Sequence, residues 1–515
     1  MKKLLVIHPF LLAIFPILFL FAYNIDEVPA PDLLLPILVV IAVTLILFFS
    51  SRLITKNYIK SGIITSCFLI LFFSYGHIWD LIASLELGSF FNEHPGFFLG
   101  PLWAVVFVTG AFLVIKSRSN FLTFTKFLNI VSITLVIISL INIGIYEIKM
   151  TKLTPAEINK EGDSLDLNDS GNLRDIYYII LDAYAASSTL REIYGYDNSE
   201  FIDYLTTKGF YVASRSRSNY MWTHMSIPSS LNMNYVNYSS DIVGIDPGAT
   251  AIIQEMWQNN EISQLLRSIG YRCMYISDLP YVDIMRGFGY DVISHPWKFF
   301  GITLSWFTIK LIETTAGYYF LYPLLQTSRR EALLLTFDAL VNVPNIKEPT
   351  FVFAHISCPH APFIFDRDGN PAKQDVLSMS GEQMWQNKQG YVDQLIFVNK
   401  KVEALVDAIL SKSDAAPVII LQADHGPNSA YSSTTPYAEL TDMQIHERFN
   451  ILNAYYLPEN GSQLLYESIT PVNSFRIVFN LYFGANYELL EDKSYFSHRN
   501  QRFKFFLVPP ETDSD

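Results

Sequence analysis

The feature that most restricts the fold of this chain is the crowding of apolar residues into its first 150 positions, in blocks long enough to cross a bilayer. Five blocks stand out, at about 4–22, 33–50, 62–80, 97–116 and 126–146. The charges between them alternate in sign. Lys2 and Lys3 precede the first block, and Asp26, Glu27 and Asp32 follow it. Arg52, Lys56 and Lys60 separate the second from the third, Glu86 and Glu93 the third from the fourth, and Lys116, Arg118 and Lys126 the fourth from the fifth. Basic loops stay on the cytoplasmic side, so the pattern predicts a cytoplasmic N-terminus and export of everything after the fifth helix. The first block is read as an anchor, not a cleaved signal: its apolar core is long and no small-x-small site follows in "FLFAYNIDEVPAP". His8, His77 and Asp80 are among the few ionisable residues of this region and are expected near its interfaces.

The remaining sequence has a different texture. Residues 150–173, "MTKLTPAEINKEGDSLDLNDSGNL", have the polar, acidic composition of a linker. From 174 to 515 a second domain is expected. "IYYIIL" (176–181), "YRCMYIS" (271–277), "TFVFAHIS" (350–357), "VIILQ" (418–422) and "ILNAYYL" (451–457) are continuous apolar runs, the pattern of strands covered on both faces in a parallel sheet. Helical spacing lies between them, at 255–270, which ends on Gly270, and at 391–412, which leads straight into the run at Val418. Residues 463–515 look like an embellishment of the same domain. Alternating helices and strands predict a doubly wound α/β fold.

The formal charge of −13 argues against nucleic acid as a partner. Three cysteines make no disulfide scaffold. Cys67 falls in a membrane block; Cys273 and Cys358 either pair outside the cell or are two buried thiols.

In open α/β sheets ligands sit beyond the carboxyl ends of the strands. After "IYYIIL" comes Asp182. Within "TFVFAHISCPHAPF" stand His355 and His360. After "VIILQ" come Asp424 and His425, with a turn-forming Gly-Pro behind them. Two acids and a histidine meeting at one sheet edge would suit a divalent metal such as Zn²⁺ or Mn²⁺.

"YYIILDAY", "TFVFAHISCPHAPF" and "VIILQADHG", in this order, resemble the sulfatase-like branch of the alkaline phosphatase superfamily. Five membrane helices ahead of an exported domain are similar in layout to the lipid-A phosphoethanolamine transferases and lipoteichoic acid synthases of that branch. The resemblance implies an alkaline-phosphatase-like α/β domain, a divalent metal, and a nucleophile after the first strand. Phosphoethanolamine transferases carry T-x-x-S-x-P there, which Thr223-His224-Met225-Ser226-Ile227-Pro228 matches. The implied metal set is Asp182, Thr223, Asp424 and His425, with Thr223 as the nucleophile. Metal ligation eases loss of the hydroxyl proton, attack on phosphorus gives a phosphothreonine, and a sugar hydroxyl or water releases it. His360, which precedes Ala-Pro, is implied as a substrate-binding residue. His446, Arg448 and His224 are further substrate-binding candidates, and His355 is either a partner of the site or a core histidine. Asp182 stands where the transferases usually have Glu, and Pro427-Asn428-Ser429 where they often continue with Glu.

The expectation is therefore a monomeric, membrane-anchored enzyme acting on phosphoryl esters of envelope lipids or glycans. Two alternatives remain open. A sulfatase would need C/S-x-P-x-R, and Ser226-Ile227-Pro228-Ser229-Ser230 has Ser230 in place of the arginine. A silent envelope scaffold would need none of these residues to act.

Overall fold

The computed structural model describes residues 5–25, 28–84, 95–150, 173–237, 250–279, 285, 287–295, 297–299, 301–372, 384–431, 435–498 and 501–510. The expected linker falls almost wholly outside these residues. So do the loop charges Lys2, Lys3, Asp26, Glu27, Glu86 and Glu93. The chain divides into two compact units.

The N-terminal part of the first unit holds α1 (His8–Tyr23), α2 (Leu34–Thr55), α3 (Tyr58–Ser84), α4 (Pro95–Lys116) and α5 (Leu122–Met150). They match the five apolar blocks but mostly run past them, because backbone caps and not the end of apolarity stop a helix. Lys56, for example, ends α2 in the left-handed conformation, with its amide bonded to Arg52 O. Among the described residues four stretches are long and apolar enough to cross a membrane: Ala30–Thr55, Tyr58–Ile82, Leu99–Lys116 and Leu122–Ile148. The α1 helix is shorter, at 16 residues. The same unit also takes in Lys298–Leu325.

The second unit is built on a seven-stranded sheet. Its strands are β1 (Ile176–Leu181), β2 (Tyr211–Val212), β3 (Arg272–Ser277), β4 (Asp291–Ser294), β5 (Thr350–Ile356), β6 (Val418–Gln422) and β7 (Asn453–Tyr456), in the order β2-β7-β6-β1-β5-β3-β4. The five strands from β6 to β4 are parallel. The expectation of a parallel run at 451–457 is corrected: β7 pairs antiparallel with β6. Its composition misled because it is buried like its parallel neighbours.

Helices cover both faces; among them are α6 (Ser187–Tyr194), α7 (Ser199–Thr207), α8 (Thr223–Leu231), α9 (Thr250–Gln258), α10 (Glu261–Ser268), α11 (Lys388–Lys412), α12 (Asp442–Phe449) and α13 (Pro471–Tyr482), and the helix Tyr318–Asn342 also joins this core through Leu333, Phe337 and Leu340. The single helix expected over 255–270 is two. Asn260 breaks it, its side chain accepting from Ser263 N to cap α10. On one face of the sheet Tyr177, Ile179, Val352, Ala354 and Leu421 pack with Leu395, Val398 and Val402 of α11. On the other face Tyr178, Ile180, Phe353 and Ile420 pack with Ile227 and Leu231 of α8 and Phe475 and Val478 of α13. A separate antiparallel pair, β8 (Tyr495–His498) and β9 (Gln501–Leu507), forms much of the C-terminal embellishment. All three cysteines are free; Cys273 and Cys358 are buried thiols.

Candidate active site

Strand register assembles the site. In the β1 ladder Ile180 is paired with His355 on one side and Gln422 on the other. Side chains alternate along a strand, so Asp182 and Asp424, each two residues on, point to the same face as His355. That is the face covered by α8. Adjacent strands lie about 4.8 Å apart, and one ligand atom from each of Asp182, His355 and Asp424 lies within 4.8 Å of the other two. All three residues are buried.

His425 closes the group from the loop after β6. Its Nδ1 is 2.9 Å from Gly426 O. A carbonyl only accepts, so Nδ1 carries the proton and Nε2 presents a lone pair. That nitrogen lies 3.1 Å from Thr223 Oγ1, 3.4 Å from Asp424 Oδ2 and 3.8 Å from Asp182 Oδ1. Thr223 is the first residue of α8, whose opening turn directs amides and the positive end of the helix dipole toward this end. The structure thus brings all four residues of the expected metal set together and adds His355, whose Nε2 is 3.5 Å from Asp182 Oδ2. The sequence could not place His355, because only the strand register sets it beside the two acids.

The electrostatics are those of an uncompensated site. Burial pushes the Asp424 carboxyl up, and the nearby Asp182 charge pushes it further, to about 6. Burial also acts against the Asp182 charge, but the imidazoles of His360 and His355 outweigh it and hold this carboxyl well below the usual range. His425 is driven well below its ordinary value by burial and by the Arg448 charge, which keeps it neutral. Asp424 Oδ1 accepts from the amides of Ala183 (3.2 Å) and His425 (3.0 Å). Its Oδ2, Asp182 Oδ1 and both ring nitrogens of His355 are buried with no hydrogen-bond partner. A buried polar atom left unsatisfied costs about 1–3 kcal/mol, more when charged. Bare carboxylate oxygens and imidazole nitrogens turned on one point fit a divalent cation, and the oxygen-nitrogen donor set suits Zn²⁺ or Mn²⁺.

The supports come from α12 and from α8 itself. Arg448, buried, donates to Gly426 O (2.7 Å) and to Met221 O, and its guanidinium stacks 5.2 Å from the Trp222 ring. It therefore ties the His425 loop to the chain just ahead of Thr223, and these hydrogen bonds go to backbone carbonyls. Glu447 beside it accepts from Ser429 N (2.8 Å), Ala430 N (2.9 Å) and the Tyr194 hydroxyl (2.6 Å), holding the loop beyond Pro427. In the sequence Glu447 is signalled only by its place in a charged pair set against the apolar run that follows. Gly426 is fixed by crowding, since a Cβ there would collide with Glu447 O. Ser226, 1% exposed, donates to Asp424 O at 2.5 Å.

The other candidates are spread more widely. His360 stands beside the cluster, its ring centroid 6.2 Å from that of His425 and packed edge-on against Trp385 at 4.9 Å. Its Nδ1 is 2.6 Å from Ala361 O, so Nε2 is the nitrogen left for a ligand. His446 is directed to Glu192 Oε2 (3.5 Å) and Asn450 Nδ2 (2.9 Å). His224 follows Thr223 on α8 and stacks with Trp222, ring centroids 6.4 Å apart.

No family model and no curated protein matches the chain. Among solved structures it is similar to the Zn complex of the C-terminal periplasmic domain of EptC from Escherichia coli, with 12% identity and a TM-score of 0.42, over 66% of this chain and 94% of that one. It is similar to the integral membrane protein lipooligosaccharide phosphoethanolamine transferase A from Neisseria meningitidis, with 14% identity and a TM-score of 0.41, over 92% of this chain and 95% of that one. It is also similar to a Bacteroides thetaiotaomicron protein of glycosaminoglycan metabolism, with 13% identity and a TM-score of 0.39, over 65% and 84%. Phosphoethanolamine transferases are among the solved structures that this chain is similar to.

Proposed function

We propose that this chain is a membrane-anchored, metal-dependent enzyme that transfers or hydrolyses phosphoryl esters, of the phosphoethanolamine or phosphoglycerol type, on envelope lipids or glycans. It works as a monomer in the cytoplasmic membrane, with the α/β domain on the outer side. The observation that carries this reading is the placement of Thr223 Oγ1, 3.1 Å from His425 Nε2, beside buried carboxylate oxygens that have no other partner.

Asp182, Asp424, His425 and Thr223 would hold the cation, with His355 as a further ligand. When bound, such an ion draws charge from a phosphoryl oxygen and eases ionisation of a hydroxyl beside it. The residues of the chain do the rest. Thr223 Oγ1 forms the new bond to phosphorus as the ester bond to the leaving group breaks. His360, its Nδ1–H held by Ala361 O, would as the doubly protonated ring donate its Nε2–H to the phosphoryl oxygens or give that proton to the departing oxygen. An acceptor hydroxyl, or water, then bonds to phosphorus and the threonine hydroxyl is restored. Arg448 keeps the two halves of the site in register through Gly426 O and Met221 O.

One observation weighs against a sulfatase of the formylglycine kind. Ser226, the residue that would be converted, is buried on the inner side of α8 and donates its hydroxyl to Asp424 O.

The test is mass spectrometry of envelope lipids and glycans from cells carrying the full-length protein or Thr223→Ala. The expected result is a mass increment that disappears in the variant while the purified variant keeps its bound metal. Identical profiles would overturn the reading.

A further inference from the structure

The segment Lys298–Leu325 interrupts the α/β domain in sequence, between β4 and β5, yet belongs to the compact unit of the apolar helices. Its helix Trp306–Glu313 carries Phe307 and Leu311 into a cluster with Ala13, Ile17 and Phe21 of α1 and Leu69 and Phe73 of α3. The Phe307 ring meets that of Phe21 edge-on at 6.3 Å.

The turn after this helix is bonded to the backbone of α3. Gly76 N donates to Thr314 O at 3.1 Å, and Ala316 N donates to Phe72 O at 2.9 Å. Phe72 and Gly76 are four residues apart, so their carbonyl and amide face each other in the helical ladder. Both reach out to the turn. The approach requires glycine: a Cβ at position 76 would lie 2.7 Å from Glu313 O and 2.8 Å from Thr314 Cα. These contacts fall within Tyr58–Ile82, one of the four stretches long enough to cross a membrane. Irregular backbone is tolerated at membrane depth where protein satisfies its polar groups, and here α3 does so.

Other apolar residues of the segment face outward. Ile302 is 52% exposed, Leu324 51% and Phe320 76%. Trp306, Tyr318 and Tyr322 are of the types that gather at membrane-water boundaries. Its lysine at 310 is neutralised by Glu313 at 2.8 Å.

We propose that Lys298–Leu325 is a re-entrant membrane element. It dips into the leaflet at the end where α1 and α3 finish, seats its turn on Phe72–Gly76, and presents Ile302, Phe320 and Leu324 to lipid acyl chains. The proposal rests on reading the long apolar helices as membrane spans, and the test separates the two.

Single cysteines at Ile302, Phe320, Leu324, Val108 and Ser411 of the full-length protein are spin-labelled in lipid nanodiscs, with the unsubstituted protein as background for Cys67, Cys273 and Cys358. The readout is the ratio of collision with oxygen to collision with a water-soluble nickel chelate. Val108, 63% exposed on α4, is the lipid reference, and Ser411, exposed on α11, is the aqueous one. The expected ratio at Ile302, Phe320 and Leu324 is severalfold above that at Ser411 and close to that at Val108. Ratios that match Ser411 while Val108 reads as lipid overturn the proposal. An aqueous reading at Val108 overturns the membrane reading itself. Should one cysteine variant fail to fold, the ratios at the other two positions decide between the same outcomes.

Discussion

Asp182 and Asp278 both follow buried strands of one sheet, β1 and β3, and both are buried. Asp278 spends its oxygens within the fold: Oδ1 accepts from Ser357 N at 2.9 Å and Oδ2 from the Ser357 hydroxyl. It thereby fixes the loop that follows β5. Asp182 has an oxygen with no hydrogen bond, and so has Asp424 at the exit of the neighbouring strand β6. Composition and position in the strand are alike, and what differs is whether the fold itself answers the charge. A satisfied buried acid is a structural part; an unsatisfied pair facing each other is a site suited to a cation.

The widest separation between the two kinds should come from isosteric neutralisation. Asp182→Asn and Asp424→Asn are each expected to lower metal affinity by at least about 100-fold and turnover by on the order of 10³-fold. Asp278→Asn should retain metal and turnover and lose only stability, by about 1–3 kcal/mol, as the Ser357 bonds are weakened. Metal analysis, activity and chemical denaturation on the three variants check this. Metal loss in Asp278→Asn equal to that in Asp182→Asn would erase the distinction.

A smaller effect appears without metal. The Asp424 carboxyl is raised to about 6 in the folded chain, above its value of 3.8 when unfolded. Raised groups contribute stability at low pH and lose it as pH climbs through the folded value. Metal-free protein should therefore lose stability relative to metal-free Asp424→Asn between about pH 4 and pH 6, by on the order of 2 kcal/mol. Asp182, depressed, changes below that window. Denaturation midpoints of both proteins in chelator across that range give the answer. A difference that stays flat with pH would mean that the two acids do not compete for a proton.

Much of this contrast was legible in the chain. Continuous apolar runs that stop on Asp182 and on Asp424-His425 pointed to one sheet edge, where the structure sets these residues close together, and the resemblance to T-x-x-S-x-P singled out Thr223. What stayed hidden depends on strand neighbours. His355 joins the acids only because it pairs with Ile180 in register, and no one-dimensional pattern encodes register. Asp278 looked no different from Asp182, since its partner Ser357 lies 79 residues away. The antiparallel β7 hid behind a composition shared with parallel strands. Lys298–Leu325 is too short an apolar stretch to announce itself, and its place depends on Gly76 over 200 residues earlier.

The smallest effect is the most useful for the chemistry. Thr223 and Ser226 lie about one turn apart on one helix, three residues from each other, and each could be named the nucleophile from sequence. Their surroundings separate them as the two aspartates are separated. Thr223 faces the lone pair of His425, whereas Ser226 is buried and gives its hydroxyl to Asp424 O. Removing that hydroxyl deletes one hydrogen bond to the carbonyl of Asp424, worth about 0.5–1.5 kcal/mol. Ser226→Ala should therefore fold, bind metal and retain most of its activity, with a modestly lowered denaturation midpoint. A variant that is stable and metal-loaded but inactive would instead make Ser226 the reacting group and return the chain to the sulfatase pattern.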